Sequence, residues 1–224
     1  MIDVKKHLPD NRAWIRAAVS VIPNVGGALD HLLFDKADLI RTRNMEAAIA
    51  SLSAEIEKQG AEKLNRDWFA SDEALAAFKL LAEKASYEPD MAKIDALGRL
   101  VAVCGTAEHA ADPKKLSVLD HLSRLTCVQI KILAAILGTP IKEKTFSSNS
   151  FRQTGSAIWI TDIAATLKAG PQFWSGQLEL NEELDILGSH NTIRQFQLMN
   201  ADEVGFALTS IGIQAATYAK SAKL

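Results

Sequence analysis

The sequence predicts a mainly α protein: a helical bundle first, then a smaller α+β part toward the C-terminal end. Three observations carry this. Apolar residues recur at intervals of three and four through the first half; no Val/Ile/Thr-rich alternating run precedes residue 115; and a short alternating pair, 192–198 and 204–208, follows only late in the chain.

The elements follow in order. Asp10 can cap a short helix through Trp14 and Val21, which Pro23 closes because it cannot continue the hydrogen-bond ladder. A second helix is expected from Val25 to Phe34. A longer one follows, with Met45, Ile49, Leu52 and Ile56 on one stripe and Gly60 at its end. Leu64 and Trp68 mark a short helix. Ser71-Asp72 cap the next, with Leu75, Phe78, Leu81 and Ala82 expected inward and Pro89 as its stop. Met91, Ile94, Leu97, Val101 and Cys104 form another stripe ending near Gly105. Up to residue 112 the natural reading is an antiparallel helical bundle, with the domain junction in the 105–115 segment at Asp112-Pro113.

Beyond the junction, Leu116, Leu119, Ser123, Thr126, Ile130, Leu133 and Leu137 predict one long helix ending at Gly138. Residues 139–155 are polar and Ser-rich and read as a long loop. A helix over 162–168 then meets a Gly170-Pro171 break, and a second helix is expected over 173–187. The alternating pair follows, and Thr209 can cap a closing helix. Helix, turn, helix, two-stranded wing and closing helix is a winged-helix-like order. The expected organisation is therefore a bundle over 1–112 and a small winged-helix-like α+β domain over 113–224.

Composition excludes several functions. The chain has 224 residues, enough for two small cores, and its 48% hydrophobic content is ordinary for a globular protein. Net charge is −2; residues 1–115 carry 16 basic and 18 acidic side chains, and 116–224 carry 9 of each. Neither half is a basic module, which argues against general nucleic-acid binding. Two cysteines make no disulfide scaffold and fit a reducing cytoplasm. Lys5, Lys6, Arg12 and Arg16 ahead of an apolar stretch mimic a signal peptide, but Pro23, Gly26-Gly27 and Asp30 interrupt it. The uncharged run 17–29 is, like every other in the chain, shorter than the ~20 residues that span a bilayer.

Candidate sites are few. The helix that would enter a DNA groove carries Glu179, Glu182, Glu183 and Asp185 and no Lys or Arg, and the wing contributes only Arg194. A DNA reader needs cations for phosphates and Arg, Asn or Gln for base edges, so this face points to protein contact. Glu179, Glu182 and Glu183 share a helix face, but no His, Lys or Arg lies within two turns to tune them for acid–base work. Cys104, His109, His121 and Cys127 invite a zinc reading, yet their spacing is looser than structural zinc sites favour, and both cysteines fall on or beside apolar stripes. The segment Val21-Ile22-Pro23 with Val25-Gly26-Gly27 is a tight apolar corner. It reads as a buried helix–helix corner, with self-association or peripheral membrane contact as the sharper alternative. No phosphate loop, nucleophile elbow or metalloprotease motif is present. No cofactor, metal or small-molecule substrate is expected, and no catalysis.

The Ile22-Pro23-x-Val25-Gly26-Gly27 corner, the segment Ala92-Lys93-Ile94-Asp95-Ala96-Leu97 and the closing Leu208-Thr209-x-x-Gly212 helix resemble bacterial abortive-infection-alpha proteins and related helical proteins. The 139–155 segment departs from that pattern. The resemblance implies a cytoplasmic bacterial protein in phage defence, with no catalytic residues to carry over. The expected function is thus non-enzymatic: a protein-interaction or defence-associated protein acting through its surfaces. The alternative is a winged-helix DNA-binding transcriptional regulator.

Overall fold

Asn65, Ser71 and Asp90 each accept a backbone N–H from the first turn of the helix that follows them, and these caps punctuate the first half of the chain. The computed structural model describes residues 36–148, 151–168, 177–197 and 204–224. Among the described residues the chain is mainly helical, with one four-stranded antiparallel sheet in its C-terminal part. It divides into two units, Met1–Ser123 and Arg124–Leu224. The corner residues Val21, Ile22, Pro23, Val25, Gly26 and Gly27 lie outside the described residues, as do Gly170 and Pro171.

In the first unit, α1 (Lys36–Gln59), α2 (Arg66–Phe69), α3 (Asp72–Tyr87), α4 (Met91–Cys104) and α5 (Lys115–Ser123) are joined by short connections. Helix α1 buries Ala48, Leu52 and Ile56. Its backbone meets α4 closely at Gly98, where an added Cβ would lie 2.7 Å from the Ala48 carbonyl oxygen. Beside that crossing, the Ser51 hydroxyl donates to the Asp95 carboxylate at 2.6 Å. Helix α4 is buried on most sides, from Ile94 through Cys104.

Two inward expectations are corrected. Leu75 and Met91 are 47% and 44% exposed. Helix α3 turns Ala74, Ala77, Phe78, Leu81 and Ala85 inward instead, because small side chains let its neighbours approach. Phe78 stacks on Phe69 and meets Trp68 edge-on, so α2 and α3 share one aromatic cluster.

The 105–115 segment, expected as a junction, lies inside the first unit, and the division falls after Ser123. The reason is local bonding. Leu64 bridges to Thr106, Ala107 N–H donates to the Lys63 carbonyl, and the Lys115 ammonium donates to the carbonyls of Ala110 and Asp112. The long helix expected over 116–137 is also two helices. Thr126 begins α6 (Cys127–Gly138) with a capping box, its hydroxyl accepting from Gln129 N–H while the Gln129 side chain accepts from Thr126 N–H.

In the second unit, the described part of 139–155 does not form the expected loop. It carries β1 (Lys142–Ser148) and most of β2 (Phe151–Trp159), paired antiparallel from Lys142↔Ala157 to Ser148↔Phe151. Then come α7 (Ile160–Lys168), α8 (Gln177–Ser189), β3 (Ile193–Gln197), β4 (Val204–Leu208) and α9 (Ser210–Ser221). The sheet order is β1-β2-β4-β3, so β4 is held between β3 and the end of β2, where Ile158 faces Phe206 and Trp159 faces Gly205. Trp159 is fully buried and donates its indole N–H to the Lys142 carbonyl at 2.9 Å. Alanines 215, 216 and 219 are buried on α9, which packs on α6.

Thr209 caps α9 as expected. Its hydroxyl donates to the Asn191 carbonyl at 2.7 Å and accepts from Gly212 N–H at 3.1 Å. Gly212 has a steric reason: a Cβ there would sit 1.9 Å from the Thr192 carbonyl oxygen, so only glycine lets the first turn of α9 abut that strand entry.

Candidate interaction face

Helix α8 is fixed from one side by Leu180, Leu184 and Leu187, all buried, which settle its rotation. The opposite side then presents Glu179, Asn181, Glu182, Asp185, Ile186 and Ser189 as exposed residues. No Lys or Arg lies on this helix. The exposed arc is therefore anionic, with one large apolar side chain, Ile186, 41% exposed within it.

Glu183 differs from the other carboxylates. It is half-buried, and its Oε2 accepts a hydrogen bond from Gln129 Nε2 at 2.8 Å. Gln129 is itself buried and occupies the third position of the α6 capping box. One side chain thus closes the start of α6 and clasps α8. Glu183 holds the helix in place, while Glu179, Glu182 and Asp185 face solvent. Sequence reasoning grouped Glu183 with its neighbours and missed Gln129; the Thr126-x-x-Gln129 box was the available signal, but its partner lies 54 positions away.

Strand β3 contributes Arg194, exposed opposite Ala207, and Phe196, 37% exposed and facing Gly205 across the strands. Two other cations of this unit are engaged. The Lys142 ammonium pairs with the Asp162 carboxylate, and Lys144 lies 5.1 Å from the centre of the Trp159 ring.

The Cys104, His109, His121 and Cys127 set does not come together as a metal centre: among the described residues no group of three or more His, Cys, Asp or Glu side chains is arranged to hold an ion. Both thiols are buried. Burial pushes the Cys104 thiol up to about 12, against the opposing pull of Lys115, so it is not a ready nucleophile at neutral pH. Burial lowers the His109 pKa below its usual value, with Glu108 and Asp112 opposing. Lys115, which the sequence reading did not single out, is almost wholly buried. Its ammonium has three partners, the two carbonyls already named and the Glu73 carboxylate at 2.7 Å, and the Trp68 indole N–H donates to the same Glu73 oxygen at 3.0 Å. With all three protons engaged, Lys115 serves as a structural clamp.

No helix among the described residues is long and apolar enough to cross a membrane. No family model, curated protein or solved structure matches the chain.

Proposed function

We propose that the second unit is a winged-helix-like module that acts through protein contact, within a non-enzymatic, defence-associated protein of the cytoplasm. The observation that carries the reading is the exposed arc of α8. In that arrangement α7 and α8 stand as the helix pair, β3 and β4 as the wing and α9 as the closing helix, with β2 backing the wing. The probing helix would be α8, and its exposed side chains include Glu179, Glu182 and Asp185.

Magnitude decides between protein and nucleic acid. A duplex DNA carries a charge every ~1.7 Å, and a specific binder draws most of its affinity from neutralising several phosphates. Three carboxylates on the probing face add repulsion, and Arg194 returns a single cation. Protein contact carries no such penalty. The defence-associated part rests on the short sequence motifs, of which the 92–97 segment lies in α4 and the Thr209-x-x-Gly212 motif opens α9.

The test has two arms. Labelled duplex DNA at low salt should show no retention by the protein; retention that fades with added salt would favour a regulator instead. A photo-crosslinker placed at Glu182 in the native host should yield a discrete protein adduct, and the same group at exposed Lys79 on α3 should not. Equal labelling at both positions would remove the α8 face as the contact surface.

A further inference from the structure

Strand β1 ends the sheet on the side away from β3, so among the described residues it has a strand neighbour along one edge alone. Its neighbour β2 joins β4 at Ile158 and Trp159, whereas β1 pairs with β2 all along Lys142–Ser148. Most of this hairpin is therefore a two-stranded ribbon running past the sheet, and such a ribbon is marginal in water without a third strand. Lysines ordinarily guard an open edge. Here both lysines of β1 are turned back onto their own unit. The Lys142 ammonium pairs with the Asp162 carboxylate, and the Lys144 ammonium lies 5.1 Å from the centre of the Trp159 ring and donates to the Thr161 hydroxyl at 3.4 Å. Thr145 is exposed on the strand, and Ile141 is 71% exposed at its entrance.

Pairing geometry names the occupant of this edge. Successive residues of an antiparallel strand turn their backbone groups alternately toward one neighbour and the other, and opposed residues must both turn toward the shared edge or both away. Pairing with β2 fixes that alternation in β1. A copy of β1 can therefore meet it antiparallel only about a two-fold axis that passes through a residue, never between two. An axis at Glu143 opposes the two Glu143 side chains and sets Lys142 against Lys144, and an axis at Lys144 opposes the two Lys144 side chains. Like charges directly opposite are unfavourable. An axis at Thr145 sets Lys142 opposite Ser148, Glu143 opposite Ser147, Lys144 opposite Phe146 and Thr145 opposite its own copy. It uses the whole strand, opposes no like charges and centres on a favourable Thr–Thr pair. We propose that β1 pairs with β1 of a second copy of this chain about a two-fold axis at Thr145. The two four-stranded sheets become one, and each ribbon gains the third strand it lacks.

The experiment uses the full-length protein, with sedimentation velocity for its size and disulfide trapping for the register. The parent should sediment as a dimer as its concentration is raised. Thr145→Cys places two thiols across the axis, about 5 Å apart between Cα atoms, within disulfide reach, so mild oxidation should give a covalent dimer on a non-reducing gel. Glu143→Cys faces Ser147 of the other copy, which leaves its two thiols roughly 13 Å apart along the strands and should give none. Cys104 and Cys127 are buried and so contribute little background. Thr145→Lys opposes two ammonium groups and should weaken the dimer about tenfold, as should Thr145→Glu with two carboxylates. Mixing these two variants should restore dimers, since each then meets its opposite charge. Position 145 is exposed, and retained helical circular dichroism establishes that each variant is folded. A parent that stays monomeric at every concentration overturns the proposal. So does a dimer indifferent to both charged variants, or equal trapping at positions 143 and 145.

Discussion

The Lys115 ammonium sits 2.7 Å from the Glu73 carboxylate with its own side chain only 3% exposed, and this pair fastens the 105–114 segment to helix α3. Each member has further partners: Lys115 holds the carbonyls of Ala110 and Asp112, and Glu73 accepts from the Trp68 indole. The pair therefore explains why Lys115 tolerates burial. Its charge and all three protons are satisfied, so the desolvation cost is offset.

The two halves of this pair should respond unequally. Lys115→Met removes the donor from two half-buried carbonyls and the cation from Glu73, which at a third exposed can regain water, and is expected to cost about 1–3 kcal/mol. Glu73→Gln keeps an acceptor near the ammonium and the indole but leaves the almost wholly buried Lys115 charge without its counter-charge, so its cost should be the larger, about 3–5 kcal/mol. Urea denaturation of the two variants checks the order; a milder effect for Glu73→Gln would show that the two carbonyls alone sustain the buried ammonium.

A second prediction concerns the α1–α4 crossing. Gly98→Ala raises helix propensity by about 1 kcal/mol. Its new Cβ, however, would stand 2.7 Å from the Ala48 carbonyl oxygen and 2.9 Å from Ser51 Cβ. The first of these is backbone, which yields only by separating the helices, so overpacking of about 1–3 kcal/mol should outweigh the propensity gain. The expected net effect is a lower melting temperature, by a few degrees at about 2–4 °C per kcal/mol. A higher one would mean that the helices part freely.

Much of the architecture was legible because it is local. Ser71 and Thr209 declare their helices by residue type and position, and the alternating stretches 192–198 and 204–208 match β3 and β4 closely, because alternation is read directly from the chain. The failures have one cause each. Leu75 reads as inward because a hydrophobic stripe counts large residues, while α3 packs largely through Ala74, Ala77 and Ala85. Ser123 and Thr126 keep the three- and four-residue spacing of the apolar positions on either side, which hid the Thr126 cap between α5 and α6. Residues 142–148 and 151–155 show no regular apolar alternation, so their strand character comes from cross-strand backbone pairing that leaves no periodic trace. At the candidate site, the anionic charge of α8 was legible, but the separation of Glu183 from its neighbours was not, since its partner comes from a distant helix.

That distant partner gives a third prediction. Glu183→Ala leaves Gln129 Nε2 a buried donor without an acceptor, at an expected cost of about 1–3 kcal/mol. Glu183→Gln preserves an acceptor oxygen and should cost less. The neighbouring Glu182→Ala, exposed and outward, should fall within about 0.5 kcal/mol of the parent. Thermal denaturation of the three separates the inward carboxylate from the outward one; equal effects would sink the distinction drawn between them.

The last prediction is a pH dependence with a defined sign. His109 is buried, and burial holds its pKa below the ordinary value of about 6.5 that it regains on unfolding. Between these two values the unfolded chain binds more protons than the folded one, so stability rises with pH across that window. The contribution is complete above about pH 6.5 and is lost as pH falls toward the folded-state value. Glu108 and Asp112 work against the shift. Replacing His109 with Gln removes the titration while keeping a polar side chain of similar size. The difference in unfolding free energy between the parent and His109→Gln should therefore be constant above neutrality and shrink below about pH 6.5 as the parent loses stability. A difference that stays level from neutral to mildly acidic pH would mean that burial does not depress this histidine.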